Sequence, residues 1–79
     1  LPLSIGALKR AEDGIGLILR VYEPNGARGA ATLAFTRSMS RIEEVNLLED
    51  ATGTLHTQGN DIELEFGPFQ VRSLRLVPD

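Results

Sequence analysis

Glu63 and Glu65 are the two residues whose types and spacing come closest to a catalytic pair. Residues i and i+2 on a strand share one face, with their Cα atoms about 6.5–7 Å apart. Retaining glycosidases hold their two carboxyl groups about 5–5.5 Å apart and inverting ones about 6.5–9.5 Å apart, so distance alone permits general acid–base chemistry. Both acids, however, fall on the polar side of an alternating segment, and nothing in the sequence gives them the contrasting environments that an acid and a base require. We interpret the pair as a solvated sheet face.

The remaining candidate motifs lack the partners that their chemistry requires. His56 is the only histidine and the chain has no cysteine, whereas a zinc site normally recruits several His or Cys ligands. No serine or threonine stands at a motif-like distance from His56, so a nucleophile triad has no support. Gly14-Ile15-Gly16 lacks the third glycine of a phosphate-binding loop and precedes a strand, not a helix. We interpret His56 as a surface or half-buried side chain, and we assign no catalytic, cofactor-binding or metal-binding residue.

The aromatic residues supply little for sugar stacking. Phe35, Phe66 and Phe69 fall on the apolar side of their segments, so we expect them in the core. Tyr22 is left as the sole candidate for stacking on a sugar, whereas a carbohydrate-binding face generally uses two or three aromatic rings.

Composition limits the partners of the chain. Its 79 residues predict a single domain, residues 1–79, and the net charge of −3 gives no basic footprint for nucleic acid. No apolar run is long enough for a membrane span, and no signal-peptide pattern is present. The first residue is not methionine, so we expect a piece of a longer polypeptide. The compartment stays open, with a preference for the cytoplasm.

Alternation of apolar and polar residues predicts an all-β fold, a small antiparallel β-sandwich of six to seven short strands. The central strand is Leu17–Tyr22, which places Leu17, Leu19 and Val21 on one face and ends at the turn Glu23-Pro24-Asn25-Gly26. The predicted strands cover residues 5–10, 17–22, 31–36, 40–49, 54–57, 62–66 and 69–77. Residues 50–53 and 58–61 are predicted turns.

Residues 40–49 are ambiguous between strand and helix. Ile42, Val45 and Leu48 have helical spacing, whereas Val45 and Leu47 alternate as in a strand. An isolated helix of two turns would be marginal, so we assign a strand.

The last two strands predict a hairpin through Gly67-Pro68, with Leu64 facing Val71 inside and Glu63 facing Arg72 outside. Phe69 and Val71 differ in parity from Leu74 and Leu76. A β-bulge near Arg72-Ser73 would return both pairs to the core.

Four stretches, in this order, carry a family resemblance: Ala7-Leu8-Lys9-Arg10-Ala11-Glu12-Asp13, Gly16-Leu17-Ile18-Leu19-Arg20-Val21-Tyr22-Glu23-Pro24, Val45-Asn46-Leu47-Leu48-Glu49 and Gly67-Pro68-Phe69-Gln70-Val71-Arg72-Ser73-Leu74-Arg75-Leu76. Together they resemble the C-terminal β-sandwich of α-mannosidases of glycoside hydrolase family 38, over nearly the whole chain.

This resemblance implies a parent enzyme that is a retaining exo-α-mannosidase acting on α-mannosides, with a carboxylate nucleophile and a zinc ion in an N-terminal catalytic domain. It transfers no catalytic or metal residue to this chain. It implies a scaffold role, in which the sandwich packs against the preceding domains of the same polypeptide. Two alternatives are a carbohydrate-binding module and an immunoglobulin-like interaction module.

Overall fold

A computed structural model describes residues 1–46, 48–55 and 60–79. The described residues are all-β and include no helix long and apolar enough to cross a bilayer. Their strands are β1 (Ser4–Arg10), β2 (Leu17–Tyr22), β3 (Gly29–Ala34), β4 (Met39–Val45), β5 (Ala51–Leu55), β6 (Asp61–Phe66) and β7 (Val71–Pro78).

The strands form two antiparallel sheets. The large sheet has the order β1-β2-β7-β4-β5, and the small sheet pairs β3 with β6. Because β7 lies between β2 and β4, the C-terminal strand occupies the centre of the large sheet. The predicted antiparallel sandwich of six to seven strands is confirmed.

The main core lies between the two sheets. Phe66 of the small sheet is 2% exposed, while Ile42 and Leu74 of the large sheet are fully buried. Strand β6 alternates strictly between exposed and buried side chains, as its sequence predicts. The buried residues of this core are Leu19, Val21, Ala31, Ile42, Ile62, Leu64, Phe66, Leu74 and Leu76.

A second, smaller cluster lies on the opposite face of the large sheet, which we call its outer face. Ala11, Ile18 and Val45 form this cluster and are each at most 5% exposed. Ile18 precedes Leu19 of the main core, so the alternation of β2 buries side chains on both faces. The sandwich therefore has three layers at this point: small sheet, large sheet and covering loops.

Several strand boundaries differ from prediction. The strand predicted over 31–36 lies at Gly29–Ala34, and the one predicted over 40–49 ends at Val45. Asn46 ends it, because its Oδ1 atom accepts the N–H groups of Leu48 at 2.9 Å and Asp50 at 3.0 Å. The helical alternative for this segment is wrong.

Strand β5 begins at Ala51, so the turn predicted over 50–53 is wrong. The strand predicted over 54–57 is described as far as Leu55. Its last two residues, His56 and Thr57, lie outside the described residues, as does Leu47.

The predicted hairpin between the last two strands is wrong. Strand β6 pairs with β3, whereas β7 pairs with β2 and β4. Leu64 and Glu63 therefore lie opposite β3 and do not pair with Val71 and Arg72. The turn Gly67–Gln70, closed by a 3.1 Å bond from the Gln70 N–H to the Gly67 carbonyl, carries the chain from one sheet to the other.

The predicted bulge near Arg72-Ser73 is also wrong, because β7 pairs regularly with β2. Phe69 and Val71 are 66% and 55% exposed, so nothing returns them to the core, and the core placement of Phe69 is wrong. A register shift occurs instead in β1 between Ile5 and Ala7.

Candidate functional site

The acidic pair lies where the sequence places it. Glu63 and Glu65 are both exposed on β6, opposite Thr32 and Ala30 of β3. They face solvent, while Ile62, Leu64 and Phe66 face the core. The structure therefore keeps the two carboxylates on one solvated face.

The other candidates from the sequence are not brought together. Tyr22 is half-buried, and its ring lies against Gly6, where an added Cβ would be 3.5 Å from the Tyr22 Cδ1 atom. His56 lies outside the described residues. In residues 1–46, 48–55 and 60–79, no three His, Cys, Asp or Glu side chains are grouped to hold a metal ion.

Arg75 organises the outer face of the large sheet. Its side chain is 8% exposed, and its Nη1 atom donates to the Asp13 carboxylate at 2.7 Å and to the Ile15 carbonyl at 2.8 Å. Its Nη2 atom donates to the Glu49 carbonyl at 3.0 Å. The guanidinium thus fastens the β1–β2 loop and the β4–β5 loop over the cluster that contains Ile18.

The charges around Arg75 keep this group ionised. The hydrogen bond that Arg75 donates to Asp13 is the largest effect and, helped by the charges of Asp13, Glu43 and Glu49, raises the pKa of Arg75 against the opposing effect of burial. In return, the Arg75 hydrogen bond lowers the pKa of Asp13. In the Gly14-Ile15-Gly16 segment, the Ile15 carbonyl accepts a hydrogen bond from Arg75. The segment therefore binds an arginine side chain through a carbonyl group, whereas a phosphate-binding loop would bind its ligand through N–H groups.

Glu49 makes a second set of contacts on the outer face, next to those of Arg75. Its carboxylate receives the Lys9 ammonium at 2.8 Å and the backbone N–H of Glu12 at 2.8 Å. The Lys9 hydrogen bond is the main cause that lowers the pKa of Glu49, and the same bond raises the pKa of Lys9. This contact ties the edge strand β1 to the β4–β5 loop.

Glu23 is a fully buried carboxylate at the end of β2. It accepts backbone N–H groups from Asn25 at 3.0 Å, Gly26 at 2.6 Å, Ala27 at 3.0 Å and Phe69 at 3.1 Å. Burial is the largest single effect and raises the pKa of Glu23, but the four N–H bonds together outweigh it and lower the pKa below its ordinary value. The carboxylate therefore holds the loop after β2 against the turn that links the two sheets.

Arg72 connects the two sheets directly. Its guanidinium binds both carboxylate oxygens of Glu44, and its Nη1 atom donates to the Glu65 carbonyl at 2.8 Å. It also lies 5.6 Å from the centre of the Phe66 ring, a cation–π distance. The sequence predicts Arg72 on the outside, paired with Glu63, and misses this role because it assigns the wrong neighbour to β7.

An open cleft of about 600 Å³ lies at the end of the small sheet. Arg28, Glu65 and Gln70 supply its polar groups, and Phe66 and Gly67 complete much of its wall. Phe69 follows in the same turn and is held in the left-handed region at φ 56°. The cleft offers hydrogen-bonding groups without a grouped acid and base.

The buried ionisable groups among the described residues hold loops in place. Within the described part of the chain, no buried side-chain nitrogen or oxygen lacks a hydrogen-bond partner. Sequence reasoning missed Glu23 and Arg75, and an arginine between two core leucines carries no signal of burial, because Glu63 stands between two core residues in the same way and is exposed. What this arrangement does chemically is fix backbone segments.

Comparison with known proteins gives one family. Residues 3–74 match the family model described as the glycosyl hydrolases family 38 C-terminal beta sandwich domain. Alpha-mannosidase 2C1 of Mus musculus is 43% identical over 76 residues, which cover 94% of this chain and 7% of the mouse protein. Alpha-mannosidase G of Dictyostelium discoideum is 31% identical over 80 residues, which cover 95% of this chain and 7% of that protein.

No solved structure matches the chain significantly. The chain spans about 7% of the length of the curated relatives that it matches. The family model, in contrast, matches nearly the whole chain, from the residue before β1 into β7. The chain therefore belongs to the family of glycosyl hydrolase family 38 C-terminal β-sandwich domains.

Proposed function

We propose that this domain is a noncatalytic structural unit of a zinc-dependent retaining α-mannosidase that hydrolyses terminal α-mannosidic bonds. The observation that carries the proposal is the match over residues 3–74 together with two relatives that are named alpha-mannosidases and are far longer than this chain. The bond-breaking groups then belong to another part of the polypeptide, and this sandwich supports that part.

The chemistry of the described residues supports the proposal that this domain is structural and that catalysis belongs to another part of the polypeptide. The buried carboxylates of Glu23 and Glu49 are saturated by backbone N–H groups or by Lys9. The described residues supply no ligand set that fits zinc. Zinc and the catalytic step are assigned to the catalytic domain that the family resemblance implies, and no catalytic step runs through this chain.

Hydrolysis of an aryl α-mannoside tests the proposal. The polypeptide that contains this domain should hydrolyse the substrate, lose activity on chelation and regain it with zinc, and release the α-anomer of mannose first, as a retaining enzyme does. The 79-residue chain alone should be inactive with and without zinc. Zinc-dependent turnover by the chain alone would refute the noncatalytic role, and an inactive full polypeptide would refute the parent activity.

A variant pair tests the scaffold role within an active polypeptide. Phe66→Ala should lower the temperature at which activity is lost, because Phe66 is 2% exposed in the core, while kcat/KM of the folded enzyme at low temperature stays unchanged. Glu63→Gln, at an exposed position, should change neither quantity. A large loss of kcat/KM in Glu63→Gln would contradict the assignment of the acidic pair to a solvated face.

A second candidate function is sugar binding, and one observation favours it. Phe69 is 66% exposed and directly precedes Gln70, which lines the cleft together with Arg28, so an exposed aromatic residue and planar polar groups are close in the chain. Titration with mannose oligosaccharides should then shift the NMR signals of Phe69 and Gln70. Unchanged signals at millimolar oligosaccharide would refute sugar binding, and the structural role would then be the one remaining function.

A further inference from the structure

The small sheet covers only part of the large one, and an apolar surface is left open as a result. Two strands, β3 and β6, face a sheet of five. Ile5, Leu8 and Leu17 on the β1 side of the large sheet are 69%, 59% and 38% exposed. We call these three residues the overhang.

The register of the large sheet places the overhang on its inner face. Ile5 lies opposite Val21, Leu8 opposite Leu19 and Leu17 opposite Leu76. Directly opposed residues of an antiparallel pair point to the same face. Their three partners are core residues that are at most 7% exposed. The overhang therefore continues the buried apolar face beyond the cover of the small sheet.

A register shift places Ile5 and Leu8 on the same face, which Arg10 also shares at its end because it lies opposite Leu17. Ile5 and Leu8 are three residues apart, so in a regular strand they would point to opposite faces. The register shift between Ile5 and Ala7 brings both to the inner face. Strand β1 is also an edge strand, so the backbone N–H and C=O groups that point away from β2 have no neighbouring strand to pair with. The backbone edge of this seven-residue strand is protected by Lys9, Arg10 and the register shift, so it is the exposed apolar face, and not the edge, that lacks a cover.

We propose that the overhang is the surface by which this sandwich docks onto the neighbouring domain of the same polypeptide. The inference rests on the part of the proposed function that makes this domain one unit of a longer chain. Each relative extends far beyond the match, which covers only 7% of its length. The occupant is an apolar surface of that remaining chain.

Leu1 lies within reach of the overhang. Leu1 lies four residues before Ile5, so the two are at most about 14 Å apart. Leu1 also lies beside the small sheet, with its Cδ1 atom 3.9 Å from the position of a Cβ at Gly29. In a polypeptide that continues before Leu1, the added residues begin within about 14 Å of Ile5, and such a short connection raises their effective concentration at the overhang.

Thiol labelling in the full polypeptide tests the docking surface. This chain contains no cysteine, so a thiol introduced by Leu8→Cys is unique in its peptide and its modification can be followed by mass spectrometry. Leu48→Cys is the matched control, because Leu48 is 82% exposed and lies in the β4–β5 loop, which covers the outer face of the large sheet, whereas the overhang is on the inner face. Each rate is divided by the rate for the same variant in denaturant, which removes differences in intrinsic reactivity.

The Leu8→Cys thiol should react at least about tenfold more slowly than the Leu48→Cys thiol in the native polypeptide, because a docked domain must open before the reagent enters. Ile5→Cys should show the same protection and serves if Leu8→Cys fails to fold. Equal rates for the overhang and control thiols would overturn the proposal. Protection that disappears on dilution would assign the surface to a second copy of the chain and would also overturn it.

The labelling outcome does not depend on catalysis. A protected Leu8→Cys thiol in a polypeptide that fails to hydrolyse α-mannosides would refute the parent activity and support the docking surface. An active polypeptide whose Leu8→Cys thiol reacts as fast as the Leu48→Cys thiol would refute the docking surface alone.

Discussion

Replacement of Phe66 by alanine is the sharpest perturbation of this fold. Phe66 is 2% exposed, lies between the sheets and carries the Arg72 guanidinium at 5.6 Å from its ring centre. Removing a buried phenylalanine costs about 3–5 kcal/mol. The whole stability expected for a domain of this size is about 4–12 kcal/mol. Phe66→Ala should therefore lower Tm by roughly 12–40 °C or unfold the chain.

Phe69→Ala is the matched control, since it removes the same side chain from a position that is 66% exposed. It should change stability by no more than about 0.5 kcal/mol. Circular dichroism during urea and thermal unfolding measures both variants. Phe66→Leu, which leaves a smaller void, should cost about 1–1.5 kcal/mol and gives a value if Phe66→Ala is wholly unfolded. Equal destabilisation by Phe66→Ala and Phe69→Ala would refute the placement of the core.

Three further predictions concern the loops. Glu23→Gln should lower Tm by roughly 5–15 °C, because one amide oxygen replaces a carboxylate that accepts four N–H groups, whereas Glu63→Gln should leave Tm within about 4 °C of the parent. The pKa of Glu23 is lowered on folding, so its contribution to the free energy of unfolding is complete above the ordinary unfolded value of about 4.3 and is lost as pH falls through the folded value. Urea midpoints measured between pH 5 and pH 2 should therefore fall more steeply for the parent than for Glu23→Gln, and parallel curves would contradict this. Gly16→Ala and Gly14→Ala place alanine at similar backbone angles, φ 77° and φ 80°, but only at Gly16 would the added Cβ lie 2.3 Å from the Leu76 carbonyl oxygen. Thermal melts should therefore show Gly16→Ala as less stable than Gly14→Ala by about 1–3 kcal/mol.

Local alternation predicts most of the strands and the solvated position of the acidic pair. Strand β6 shows why: its three apolar residues and its acids are separated by a strict period of two, which any pairing partner would preserve. The same pattern does not identify the partner. Leu64 could face inward beside Val71 or beside Ala31, and the structure selects Ala31 of β3.

The internal salt bridges could not be predicted for the same reason. Arg75 meets Asp13 across 62 positions of the chain, and Arg72 meets Glu44 across 28. Sequence spacing of charges indicates pairing only for neighbours on one element. Position in the sheet decides these contacts, because β7 lies between β2 and β4 and is buried on both faces.

Residue type and local period are enough to give the all-β class, the central strand Leu17–Tyr22 and the family to which the four stretches point. Long-range pairing, in contrast, places β7 in the large sheet, exposes Phe69 while it buries Phe66, and brings Ile5 and Leu8 to one face. Those outcomes depend on which strands pair and on how much of one sheet the other covers. These are long-range contacts, and no local pattern of side chains encodes them uniquely.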